Sequence, residues 1–188
     1  MTPYKIHPVT AALHHRVALE TAQFGASTIL DIGGTGKLKE FVSCKVQDVN
    51  LTTGVDGCCL PFENSSFDVT VSIATLEHVA CQEKFLAEAL RVSRTASIHW
   101  FPYGSNAVLV EEFKKRFWDT TPCYRHACTI PPPAALDEFQ VEMEPFITVS
   151  EHLLLLATLY ESMNCKEVYT FAQNHAHEPY GVILRVKR

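Results

Sequence analysis

The sequence contains no apolar run of the roughly 18 residues needed to span a bilayer. Its longest aliphatic stretch, Leu153 to Ala157, is the size of a core segment. Basic charge is also short: 16 Lys and Arg face 21 Asp and Glu, the net charge is −5, and the longest basic run is Lys114-Lys115-Arg116. That balance excludes a wide phosphate-tracking surface and makes nucleic acid a disfavoured partner. The opening stretch MTPYKIHPVTAALHHR lacks the basic start, apolar centre and small-residue cleavage site of a secretory signal, so cytoplasmic residence with no membrane partner is expected. The seven cysteines are odd in number and mostly isolated in apolar segments, which fits reduced thiols better than a disulfide framework. What is present is a core. Hydrophobic residues are 47% and charged residues 20% of 188, enough apolar surface to fold and a length that suits one domain, residues 1–188.

Strand-like apolar runs alternate with helix-period segments, the pattern of an α/β fold with a largely parallel sheet. A first helix is expected from Val9 to Gln23, ended by Gly25. Thr28 to Ile32 reads as a buried strand halted by Gly33-Gly34-Thr35-Gly36, with Lys37 to Phe41 opening a second helix. Lys45 to Val49 is a second strand. Too few residues separate it from Gly54-Val55-Asp56 for a crossover helix, so one helix is missing there. Phe67 to Ile73 is a central strand, Gln82 to Val92 a helix with Phe85, Ala89 and Val92 on one face, and Ala96 to Phe101 a further strand. Asn106 to Trp118 has helical spacing. Pro122 and Pro131-Pro132-Pro133 mark an irregular stretch, and 103–145 as a whole reads as a substrate-recognition or lid insertion. Ser150 is the expected cap of a helix reaching Met163, and Glu167 to Ala172 with Gly181 to Val186 the expected terminal antiparallel hairpin.

A strand ending in Asp31, a glycine-rich turn and a helix start together present backbone N–H groups to an anionic or carboxylate-bearing ligand. The turn lacks the third glycine of the dinucleotide fingerprint, which disfavours NAD or FAD. Gly36-Lys37 is followed by Leu38 rather than Ser or Thr, which excludes a phosphate-binding P-loop. Cys123, His126, Cys128, His175 and His177 fit no zinc-ligand spacing, so no metal is expected.

The run ILDIGGTGKL, the acid in VQDVN, the block VDGCCLPFENSSFDVTVSIATLEHV and the EALRV helix resemble a class I S-adenosylmethionine-dependent methyltransferase of the group with an LPF…FD…LEH signature, similar to methyltransferase type 11. The resemblance spans about residues 28 to 103. It implies a Rossmann-like three-layer sandwich with a mostly parallel seven-stranded sheet in the order 3-2-1-4-5-7-6, and S-adenosylmethionine as cofactor. Gly33, Gly34 and Gly36 would then admit the methionine part of the cofactor, with Asp31 orienting its ammonium. Asp48 would take the ribose hydroxyls, Asp56 beside Gly57 the adenine amino group, Leu60 and Phe62 would wall the adenine, and Ile73, Ala74 and Thr75 would line the cavity near the sulfonium. The competing readings are turn residues for Asp48 and Asp56 and core packing for Phe62.

Methyl transfer from a sulfonium asks mainly for alignment and exclusion of water, and for a base only when the acceptor must lose a proton. His78 after the fourth strand of the implied sheet and Tyr103 after the fifth are the candidates, because strand carboxyl ends face the crevice in such sheets. His99, mid-strand, is the weaker one. The acceptor is expected to be a small molecule, with Tyr124, Arg125 and His126 clustered to orient it. Three departures from the family pattern surround the pocket: a glycine turn one residue short, the absent helix, and no extra N-terminal helix. They keep open a non-catalytic cofactor-binding module as the alternative. Neither the acceptor nor the oligomeric state is legible.

Overall fold

The computed structural model describes residues 8–103, 109–110, 113, 139–159 and 166–187, the side chains of 8, 9 and 155–159 excepted. Helix α1 (Pro8–Gln23) places Leu13 and Val17 one turn apart on a buried face. Gly25, at φ 62°, closes it by donating to the Ala22 carbonyl. Strand β1 (Thr28–Ile32) follows, then β2 (Lys45–Val49), β3 (Phe67–Ile73), helix α2 (Gln82–Val92) and β4 (Ser93–Pro102). Beyond β4 come β5 (Gln140–Pro145), α3 (Val149–Leu159), α4 (Lys166–Asn174) and β6 (Gly181–Lys187).

The six strands form one sheet in the order β2-β1-β3-β4-β6-β5. It is parallel except for β6, which runs antiparallel to both β4 and β5. This is the implied family order without its outermost strand. The reason lies in residues 50–66: Asn50 caps a single 3-10 turn (Leu51–Thr53), Gly54 stops it at φ 78°, and the chain returns directly to β3. Both the helix and the strand of that unit are absent, so β2 is the sheet edge.

Three further expectations need correction. Lys37–Glu40 makes one 3-10 turn rather than the start of an α-helix, so no helix N-terminus faces the end of β1. Residues 166–174 are helix α4, because Val168 and Ala172 stand one turn apart and both pack into the core. The antiparallel partner of the last strand is therefore Gln140–Pro145, the tail of the expected insertion, in register Gln140 with Lys187. The cap of α3 is Thr148, not Ser150: its backbone N–H donates to the Glu151 carboxylate at 2.8 Å while its hydroxyl accepts from the Glu151 N–H at 3.2 Å.

Two cores sandwich the sheet. One lies under α1, α3 and α4 and is built from Val17, Ile29, Val71, Ile98, Leu153, Val168 and Ile183 among others; buried Val110 and Phe113 join it. The other lies under α2 and holds Leu30, Ile32, Phe85, Leu86, Leu90 and Leu184. Among the described residues no helix is long and apolar enough to cross a membrane.

Candidate functional site

A cleft of about 750 Å³ opens at the carboxyl ends of β1 and β3. Its first wall is the glycine turn, through Ile32, Gly33 and Thr35. The second is the 3-10 turn and loop after β2, through Asn50, Leu51, Thr52, Val55, Asp56, Gly57 and Cys58. Ala74, Thr75 and His78 close the end of β3, and Val79, Ala80, Cys81, Lys84 and Phe85 carry the wall into α2. Such a position, outside the strand ends of a mostly parallel sheet, is where open α/β folds bind ligands.

The glycines hold this shape. At Gly33, φ is 87° and a methyl would run into the Thr75 side chain, so the turn lies directly against the end of β3. At Gly57 a methyl would meet the Phe85 ring at 2.5 Å, which presses the Asp56 loop onto α2. The LPF segment is strapped to the same helix. Arg91 donates to the carbonyls of Leu60 and Phe62 at 2.9 and 2.8 Å, and Glu88 accepts the Leu60 N–H at 2.8 Å. Asp56 accepts the Cys58 N–H at 2.8 Å, which turns the chain toward the cleft.

Of the residues expected at the site, Gly33, Asp56, Gly57, Ala74, Thr75 and His78 line the cleft. The others do not. Leu60 is buried in the core under α2, Phe62 packs edge-on against Phe67, and Ile73 packs toward the opposite core. Tyr103 stands against Phe101 with its backbone N–H on the Tyr180 carbonyl. Gly34 and Gly36 fold over two carboxylates that stand side by side on neighbouring strands, Asp31 opposite Asp48. Asp48 accepts the Gly36 N–H at 2.9 Å and pairs with Lys39, so its oxygens brace the turn from beneath. Asp31 is 2% exposed with one oxygen unpartnered among the described residues, and burial, reinforced by the Asp48 charge, pushes its carboxyl up to about 7. Tyr124, Arg125 and His126 lie outside the described residues.

His78 has a quarter of its side chain exposed to the cleft, with the buried Glu77 carboxylate 3.8 Å from its Nε2. His99 is wholly buried. Its Nδ1 is 2.7 Å from the Ser72 hydroxyl and its Nε2 2.6 Å from that of Ser97, and burial drives its pKa down to about 3, so it is a neutral structural group. Asn50, Leu51, Val55, Cys58, Cys81, Lys84 and Phe85 were not anticipated. The signal for Asn50, Leu51, Val55 and Cys58 is the shortness of the connection after β2, which forces that loop to serve as a wall; Cys81, Lys84 and Phe85, at the start of α2, carry no such signal.

Residues 14–101 match the methyltransferase domain family. No curated protein matches the chain by sequence. Among solved structures, a geranyl diphosphate methyltransferase in complex with S-adenosylmethionine is similar at a TM-score of 0.60 and 14% identity, over 96% of this chain and 86% of that one. Phosphoethanolamine N-methyltransferase 2 of Haemonchus contortus, in complex with S-adenosyl-L-methionine, is similar at 0.59 and 16% identity, over 93% of this chain and 52% of that one. The (4+2)-cyclase SpnF is similar at 0.51 and 16% identity, over 93% and 80%. At such identities the likeness is one of fold, and the fold hosts more than one reaction. Residues 14–101 thus match a methyltransferase domain, on a fold shared with methyltransferases solved in complex with S-adenosylmethionine.

Proposed function

We propose that the chain binds S-adenosylmethionine in the cleft and moves its methyl group to a small-molecule acceptor by in-line displacement. The observation that carries this reading is the cleft itself: a family-matched glycine turn and the Asp56 loop face each other across the strand ends, with Thr75 and His78 between them. The donor set fits the cofactor. Gly33 leaves backbone open where any side chain would collide, and the buried, partly unpartnered Asp31 lies under the turn that would meet a charged amino-acid group.

The cofactor supplies a methyl group on a sulfonium with a thioether leaving group. The residues of the chain hold and exclude. Asp56 offers carboxylate oxygen to an exocyclic amine, Leu51 and Val55 offer an apolar face to a base, and Gly33 admits close backbone approach. Val79, Ala80 and Phe85 keep water from the reacting end, which strengthens alignment and protects a positively charged donor. His78 takes the acceptor proton where the acceptor has one to lose, the Glu77 carboxylate stabilising the imidazolium that results. Acceptor recognition falls to the segment between β4 and β5, with Tyr124, Arg125 and His126, in a chain we read as one domain.

Calorimetry with S-adenosylmethionine and S-adenosylhomocysteine tests the reading directly. Ligand at about 100 times its dissociation constant should add roughly 2.7 kcal/mol of stability, and Asp56→Ala should weaken binding without unfolding the protein. Absence of binding by either compound would overturn it. One observation favours a second reading, a non-catalytic cofactor-binding module: the Asp48 oxygens are engaged by Gly36 and Lys39 rather than offered to the cleft. Cofactor binding without turnover on any acceptor in a coupled assay would favour that module.

A further inference from the structure

Two thiols stand where the Asp56 loop meets α2 at the cleft. Cys58 belongs to the Asp56 loop and Cys81 precedes the first turn of α2, and both line the cavity. The walls already touch at this point: the Cys58 thiol donates to the Cys81 carbonyl at 3.6 Å. Cys58 is half-buried against the core under α2, whereas Cys81 is exposed. A buried structural thiol has a packing reason to be there; an exposed one beside a second thiol, at the mouth of a cavity, does not. A metal reading fails, because among the described residues no group of three His, Cys, Asp or Glu is placed to hold an ion.

We propose that Cys58 and Cys81 are a redox pair whose disulfide pins the Asp56 loop to the start of α2 and so weakens cofactor binding in the cleft they line. The part about the cofactor rests on the reading given above; the disulfide does not. With a low-molecular-weight disulfide such as glutathione disulfide as oxidant, the exposed Cys81 reacts first as thiolate, forming a mixed disulfide and releasing one glutathione thiolate. Cys58 then attacks the Cys81 sulfur, the Cys58–Cys81 bond forms, and the second glutathione leaves. The two protons lost by the cysteines end on the two glutathione thiols, so two electrons pass from the protein to the oxidant. The order follows from exposure and from charge: burial and the neighbouring Asp56 push the Cys58 thiol up, which makes it the resolving rather than the attacking group. In a reducing compartment the pair is open and the loop free to adjust to a ligand; oxidation fixes it to α2, and a thiol reductant releases it.

The test is peptide mass mapping of the full chain after incubation with glutathione disulfide, without reductant, together with calorimetry using S-adenosylhomocysteine before and after. Expected is a Cys58–Cys81 crosslinked peptide pair lighter by two hydrogens, reversed by dithiothreitol, and affinity lower by about tenfold or more in the oxidised form. Cys59→Ser, a change at an exposed neighbour outside the lining, should keep the crosslink, and Cys81→Ser should abolish it and make affinity insensitive to the oxidant. Mapping that finds separate glutathione adducts, or a bond through Cys59, would overturn the pair. A mapped Cys58–Cys81 bond with unchanged affinity would overturn the effect on cofactor binding. A mapped bond in a chain whose reduced form also fails to bind would sustain the disulfide and remove the cofactor reading instead.

Discussion

Asp31 and Asp68 sit on neighbouring strands of one sheet and respond to pH in opposite senses. Asp31 is held up to about 7 by burial and by Asp48, so the folded state binds a proton more readily than the unfolded chain. Its favourable contribution is present at low pH and is lost as pH rises through about 7. Asp31→Asn should therefore gain on the parent in urea denaturation as the pH is raised from about 5 to 9, by about 2 to 4 kcal/mol when Asp31 is fully ionised. A difference that does not change with pH would overturn this. Asp68 is held down at about 2: burial alone would raise it, but the N–H groups of Ser27 and Thr28, the Thr28 hydroxyl and Arg94 all bond to it. It contributes above the ordinary carboxylate range and the contribution disappears as pH falls through about 2, so Asp68→Ala should destabilise at neutral pH and make little difference in strong acid. Gly33 gives a third expectation. Gly33→Ala combines a left-handed backbone with a collision against Thr75, and should cost about 2 to 3 kcal/mol and weaken ligand binding. Gly54→Ala, with a similar φ but open space, should cost about 1 kcal/mol.

At the scale of elements, α2 does more than cover the sheet. Its Glu88 and Arg91 hold the Leu60 to Asn64 loop by bonds to the main chain of Leu60 and Phe62 and to the Asn64 side-chain oxygen, and that loop carries on from Asp56 and Cys58. Arg91→Ala should cost about 2 kcal/mol, since it strands two carbonyls, and should raise hydrogen exchange over 60–66 before any other segment. Protection unchanged there would mean the loop is held by other contacts. The same element shows what a sequence displays and what it hides. The β1 and β3 boundaries were readable because each is a compact apolar run with clear stops, α2 because Phe85, Ala89 and Val92 share one helical face, and the EALRV motif carried family information whose physical basis is this strap. β5 was not readable, because Gln140, Glu142 and Glu144 alternate along an edge strand with only partial burial. Residues 166–174 misled for the opposite reason: Val168, Tyr169, Thr170 and Phe171 have strand propensity, and only the one-turn spacing of Val168 and Ala172 against a core not visible in sequence decides for helix. Within the site, Asp48 matched its motif, but Lys39 and the Gly36 N–H, which come from the shortened turn, take its oxygens. No linear pattern reports which of two possible partners a carboxylate will face.

Across the whole molecule, one ionic cluster ties α1 to β5 and β6. Arg185 bonds both oxygens of the buried Glu20 at 2.7 Å and reaches Glu144 at 2.6 Å, while Arg16 bridges the same two acids and lies over the Phe146 ring. Glu20→Ala leaves a largely buried guanidinium short of charge and should cost about 3 kcal/mol, visible as a drop of roughly 6 to 12 °C in Tm for a domain of this size. Glu144→Ala, at a half-exposed site, should cost no more than about 1 kcal/mol. Equal losses would place the weight of the cluster elsewhere. The sheet order has a consequence for synthesis. Because β6 lies between β4 and β5, both of those strands emerge from the ribosome before the one strand that pairs with either on that side. Residues 96–102 and 140–145 thus wait with bare hydrogen-bonding edges until 181–187 arrive, and neither can close on the other without forming a wrong neighbour. For the nascent chain this is a window of exposure to aggregation, and a reason for a chaperone to be needed late rather than early in translation.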